Sequence, residues 1–135
     1  MALMGYSEAF SRLGYKLEAP RTDWSAANEQ GVCISIWRSE MKFISGLPEL
    51  NTKRDAGPLE LWSSKPGNSK RKQHLSLAKN RFDSRLDVVI VEGTPGEGVQ
   101  DAAPWLPKER KGATWTLVYF EPDTGHFHVR AKPST

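Results

Sequence analysis

The chain has 135 residues, 38% of them apolar, which is enough for one core and too short for two ordinary domains, so a single domain over 1–135 is expected. Its net charge is only +3, but seven of the nineteen Lys and Arg residues fall between Lys65 and Arg85 against a single acid, Asp83; that segment is formally +6 and the rest of the chain sums to −3. A single cysteine, Cys33, excludes an internal disulfide framework, and no segment approaches a membrane span.

In chain order, the first residues, Met1 to Tyr6, lack a basic start and a long apolar stretch, so no secretory signal is expected. Tyr6, Phe10, Leu13 and Leu17 recur at helical spacing and Gly14 can end a helix in the left-handed region, which predicts a first helix over about 3–13. After Ala19-Pro20, a polar connection containing Trp24 leads to Val32-Cys33-Ile34-Ser35-Ile36-Trp37, a β-branched and aromatic run that reads as a strand with a buried thiol. The reduced thiol fits a cytoplasmic setting. Shorter strands are expected at Lys42 to Ser45 and Leu59 to Ser63.

Pro66-Gly67 breaks the chain, and Asn68 or Ser69 is expected to cap a second helix over about 69–80, with Leu75, Ala78 and Phe82 as its apolar stripe. Asp87 to Val91 reads as a continuous apolar strand, Gly93 to Val99 as a glycine-rich loop, and the Pro-flanked stretch around Trp105 as a loop ending near Gly112. The C-terminal segments Thr114 to Glu121 and His126 to Arg130, joined by Pro122-Asp123-Thr124-Gly125, carry the chemistry of a hairpin turn. Helices and strands do not alternate regularly. The expected class is therefore α+β: a curved, mainly antiparallel sheet or partly open barrel with two helices.

A basic segment on an otherwise slightly acidic chain is the footprint of an anion-binding face, with a nucleic-acid backbone as the leading anion. Cations at the start of a helix oppose its dipole, and a bound phosphate would turn that conflict into attraction. Lys65, Lys70, Arg71, Lys72, Lys79, Arg81 and Arg85 are the backbone candidates. Trp24, Trp62 and Trp105, in connections rich in polar residues, Pro or Gly, are the candidates for stacking a base, whereas Trp37 and Trp115 are expected in the core.

Catalytic signals are thinner. His74 on the second helix could act as a base oriented by Asp83 or Asp87, and His126 and His128 share one strand face with Arg130. Two histidines half-fill a metal site, and Glu92 and Asp101 offer no ligand spacing, so no metal and no cofactor is expected. The Glu92-Gly93-Thr94-Pro95-Gly96-Glu97-Gly98 loop lacks the lysine of a P-loop and carries two acids, so no nucleotide is assigned to it. No paired-acid nuclease pattern and no His-Asn-His finger is present.

The stretch Ala19-Pro20-Arg21-Thr22-Asp23-Trp24-Ser25-Ala26-Ala27, then Gly31 through Trp37 to Glu40, and later Arg71-Lys72-Gln73-His74-Leu75, resembles a small module of bacterial proteins tied to restriction and HNH-type nucleases. The resemblance covers about a third of the chain and implies a DNA-recognition role in phage defence, with Trp24, Trp37, Arg71 and His74 at the matching positions. No nuclease domain is expected within these 135 residues, so cleavage is not implied. The expected function is nucleic-acid binding, DNA before RNA, at a Trp-lined site for a base that is modified or unpaired, and a nuclease or other protein is a candidate partner. A binding protein is expected before an enzyme. The alternatives are a small hydrolase or nuclease using His and Asp residues, and a protein-interaction module of antitoxin or inhibitor type.

Overall fold

The computed structural model describes residues 3–133. Three helices, α1 (Tyr6–Arg12), α2 (Thr52–Asp55) and α3 (Pro66–Arg81), accompany eight strands: β1 (Ser25–Ala27), β2 (Val32–Trp37), β3 (Lys42–Ile44), β4 (Leu47–Asn51), β5 (Arg85–Thr94), β6 (Gly98–Pro104), β7 (Thr114–Phe120) and β8 (Phe127–Lys132). They form an open sheet in the order β1-β2-β5-β7-β8-β4-β3, with β6 paired to β5. All pairings are antiparallel except β2 with β5, which run parallel from Cys33↔Asp87 to Trp37↔Val91. The α+β class with a mainly antiparallel sheet is as the sequence predicts.

The parallel pair explains why β2 and β5 are apolar through most of their paired length, Ser35 and Asp87 excepted. Val32, Ile34 and Ile36 of β2, with Leu86, Val88 and Ile90 of β5, face a core that also holds Leu75, Ala78, Trp115, Phe127 and Val129. Their alternates Cys33, Val89 and Val91 face a second core with Ala9, Phe10 and Tyr15. The sheet is thus covered on one face by α3 and on the other by α1, and a strand buried on both faces needs no polar alternation. Burial also pushes the Cys33 thiol well above its ordinary range.

Several boundaries differ from the sequence expectation. Helix α3 begins at Pro66, three residues before the expected start, because proline at the first helical position gives up only an N–H that has no intrahelical partner. Its N-cap is Lys65, without a side-chain cap, and Asn68 lies fully buried inside the helix rather than capping it. The expected strand at Leu59 to Ser63 is a 3-10 turn over Leu59–Leu61 that follows Pro58. Strands β4 and β6, not expected from sequence, hold Pro48 and Glu49, and Gly98, Gln100 and Asp101, residues of low strand preference that pairing overrides. The glycine-rich stretch is the tip of the β5–β6 hairpin, with an irregular register at Glu92/Gly93.

The C-terminal hairpin forms as expected, closed by Glu121 N–H donating to His126 O and Gly125 N–H to Glu121 O, both at 2.8 Å. Gly125 has φ +94°, and a side chain there would overlap the amide of Asn68. That amide donates to Ser63 O at 3.0 Å and Thr124 O at 3.2 Å, which ties the hairpin turn to α3.

Candidate functional site

A cleft of about 780 Å³ opens at the carboxyl end of the parallel pair. Ser35, Ile36 and Trp37 end β2 there, Val91 and the β5–β6 hairpin tip stand beside them, and Trp62, Lys65 and Arg71 enter from α3 and the turn before it. Carboxyl ends of parallel strands leave such crevices because the chain must diverge to cross over.

Arg71 dominates the cleft. The stripe of α3 that faces inward is Asn68, Arg71, Leu75 and Ala78, so helical spacing alone drives the guanidinium into the core side of the helix. There it is 9% exposed and lies 4.7 Å from the ring centres of Trp24 and Phe127 and 5.5 Å from that of Trp62. Among the described residues its one hydrogen bond, to Asn68 Oδ1, is 3.5 Å long, and its Nε has no partner. The Trp62 indole N–H is likewise buried without a partner. Burial holds the Arg71 guanidinium down to about 10.

Glu40 lines the same cleft, half-buried and without a hydrogen bond or ion pair. Burial pushes its carboxyl up to about 7, against the attraction of Arg71. Its stability contribution is therefore complete below its ordinary value of 4.5 and is lost as pH rises through about 7, where an incompletely solvated carboxylate forms. The melting temperature of Glu40→Gln is expected to match wild type below pH 4.5 and to exceed it at pH 8. A difference independent of pH would show that the carboxyl is freely solvated.

Trp24 packs flat over Gly67, where any side chain would overlap its ring. Tyr6 closes the cleft beneath, donating its hydroxyl to Asp23 O at 2.8 Å with Ser35 Oγ at 2.9 Å; burial raises its pKa. Of the stacking candidates the cleft brings together Trp24 and Trp62, both half-buried. Trp105 is corrected: it is 6% exposed, its N–H donates to Ala113 O at 2.9 Å, it stands edge-on to Trp115, and it borders a separate groove. Trp115 is buried as expected, but Trp37 is half-buried and joins the cleft.

The cationic candidates divide. Lys70 is held by Glu18 at 2.9 Å and Asp23 at 3.4 Å, and Arg71 is buried, so neither joins an exposed cluster at a helix start. Lys65, Lys72 and Lys79 recur every seven residues and share one flank of α3, a track of about 20 Å that starts at the cleft mouth. Arg81 and Arg85 are exposed at its far end; Arg81 lies over the Phe82 ring and Arg85 Nε donates to Phe82 O.

The histidines are engaged elsewhere. His74 Nδ1 lies 2.7 Å from Ser25 Oγ, not beside Asp83 or Asp87, whose carboxylate instead accepts from Tyr15. Ser25 is fully buried, and burial with nearby Lys70 lowers the His74 pKa. His126 Nδ1 meets Thr52 Oγ1 at 2.9 Å and its ring stands edge-on to Trp62. His128 and Arg130 share a strand face as expected, and both reach Glu49 Oε2. Although burial works against its charge, hydrogen bonds from Arg130, His128 and Arg54 hold the Glu49 carboxyl below its ordinary range. Among the described residues no group of three or more His, Cys, Asp or Glu side chains could hold a metal ion.

Tyr6 carries no motif and was not legible as a site residue. Glu40 and Trp37 were marked only by the resemblance, since a lone Glu has no spacing to read and Trp37 sits in an apolar run that argues for the core. No family model, no curated protein and no solved structure matches the chain. No helix among the described residues is long and apolar enough to cross a membrane.

Proposed function

We propose that the protein is a nucleic-acid-binding domain, acting on DNA in the cytoplasm, that takes one unpaired base into the cleft while the adjoining backbone runs along α3. The observation that carries this reading is the buried, partly unbonded Arg71 among three aromatic rings in a cleft from whose mouth a lysine track leads away. A buried cation without a carboxylate partner is a standing cost, and aromatic walls suit a flat π-system. Lys65, Lys72 and Lys79 supply backbone affinity, Arg81 and Arg85 extend the track, and the cleft supplies selectivity. Lys70 and Arg71 act structurally and within the cleft, not on the exposed backbone. A role beside restriction nucleases, implied by the resemblance around Trp24 to Trp37, is compatible with a reader that does not cleave.

The test is a labelled single-stranded oligonucleotide followed by anisotropy at several salt concentrations. The triple variant Lys65→Ala, Lys72→Ala, Lys79→Ala is expected to bind more weakly and to lower the salt slope by about two units, since each lost phosphate contact on a single strand releases ~0.7 fewer counterions. Its fold should be unchanged, because all three side chains lie off the inward stripe. An unchanged slope in the folded variant would remove the track from the mechanism.

A further inference from the structure

The cleft presents hydrogen-bonding groups of opposite kind that do not satisfy one another. Arg71 and Trp62 contribute buried N–H groups without partners. Glu40 contributes a carboxyl without a hydrogen bond, and it senses the charge of Arg71 without forming an ion pair with it. Guanidinium and indole nitrogens only donate, and an ionised carboxylate only accepts. A ligand that satisfies both must be flat, with acceptors along one edge and donors along another.

A phosphate is a poor fit here, since Asp23 and Glu40 both line the cleft and would repel it. Among the bases, adenine and cytosine carry one exocyclic amino donor beside an acceptor on their pairing edges, and thymine alternates acceptor, donor, acceptor. Guanine alone sets two adjacent donors, N1–H and the N2 amino group, on one edge and two adjacent acceptors, O6 and N7, on another. Resting on the nucleic-acid reading above, we propose that the base held in the cleft is guanine, with N1–H and N2–H donating to the Glu40 carboxylate and O6 and N7 accepting from Arg71 and Trp62 once these side chains turn their enclosed N–H groups toward it. Trp24 and Trp37 supply ring surface beside it. Because the unpaired donors are buried before the ligand arrives, a base lacking the matching acceptors leaves them unpaired, and discrimination follows from that penalty as much as from the bonds gained.

The experiment uses the full chain at pH 8, where Glu40 is ionised, and short thymine-tract single strands carrying one central guanine, adenine, cytosine, hypoxanthine or 7-deazaguanine, together with an all-thymine strand and guanosine monophosphate alone. The guanine strand is expected to bind about tenfold or more tightly than the adenine, cytosine and all-thymine strands. Hypoxanthine, without the N2 amino group, and 7-deazaguanine, without N7, should each lose a large part of that preference. Glu40→Gln should lose most of the preference for guanine over adenine, cytosine and thymine. Equal affinity for all strands, or an undiminished guanine preference in Glu40→Gln, overturns the guanine assignment and leaves the nucleic-acid reading standing. Binding of guanosine monophosphate with no binding of any strand supports the guanine assignment and overturns the nucleic-acid reading; absence of binding to every probe overturns both.

Discussion

Replacing Arg71 with methionine is expected to leave stability within about 2 kcal/mol of wild type while abolishing the oligonucleotide binding proposed for the cleft. The guanidinium is held down to about 10 from an ordinary 12.5. At ~1.4 kcal/mol per pK unit, burial of the charge works against folding by roughly 3 kcal/mol at neutral pH, the penalty persisting until pH rises through about 10. Contacts with the Trp24, Trp62 and Phe127 rings, each about 0.5–2 kcal/mol, return an amount of the same order, so cost and return nearly cancel. Methionine keeps the unbranched apolar stem and removes the charge, and being two atoms shorter it gives up part of the guanidinium's contact with the rings. Urea unfolding measures the first half of the expectation and anisotropy the second. A variant destabilised by more than 2 kcal/mol would show that the aromatic stack around the cation is a net contributor to the fold, and a variant that still binds would remove Arg71 from the site.

Gly125→Ala carries the largest expected loss of stability, about 2–4 kcal/mol. At φ +94° an L side chain is strained, and the added methyl would displace the Asn68 amide that bonds Ser63 O and Thr124 O. Asn68 is fully buried, so groups that lose those bonds find no water. The β7–β8 turn and the start of α3 should loosen together. Chemical denaturation reads the effect; a cost below 1 kcal/mol would mean that turn and helix relax independently.

Elements written by local chemistry were legible in the sequence. β2 is bounded as its β-branched run predicts, α1 ends before Gly14, and the Pro-Asp-Thr-Gly turn produces its hairpin. What local chemistry could not disclose is set by partners distant in sequence. β4 exists because β3 and β8 pair with it, β6 because β5 does, and neither segment advertises a strand. The basic segment was legible as a count of charges but not as a geometry: a helix starting at Pro66 instead of near Ser69 leaves Lys70 to Glu18 and Asp23 and sends Arg71 inward. Two of three stacking candidates do meet, since Trp24 and Trp62 converge on Arg71, whereas Trp105 found a carbonyl for its N–H and stayed in the core.

The one parallel pairing has a kinetic consequence. The strands on which the cleft is built join residues roughly fifty positions apart, with β3, β4, α2 and α3 in the intervening chain, so closing that loop is the entropically slow step. The β3–β4, β5–β6 and β7–β8 hairpins need only local chain reversal. A nascent or partly unfolded chain can therefore hold most of its hairpins while Trp37, Val91 and Arg71 remain apart, which makes the cleft a late product of folding that only the fully assembled sheet contains.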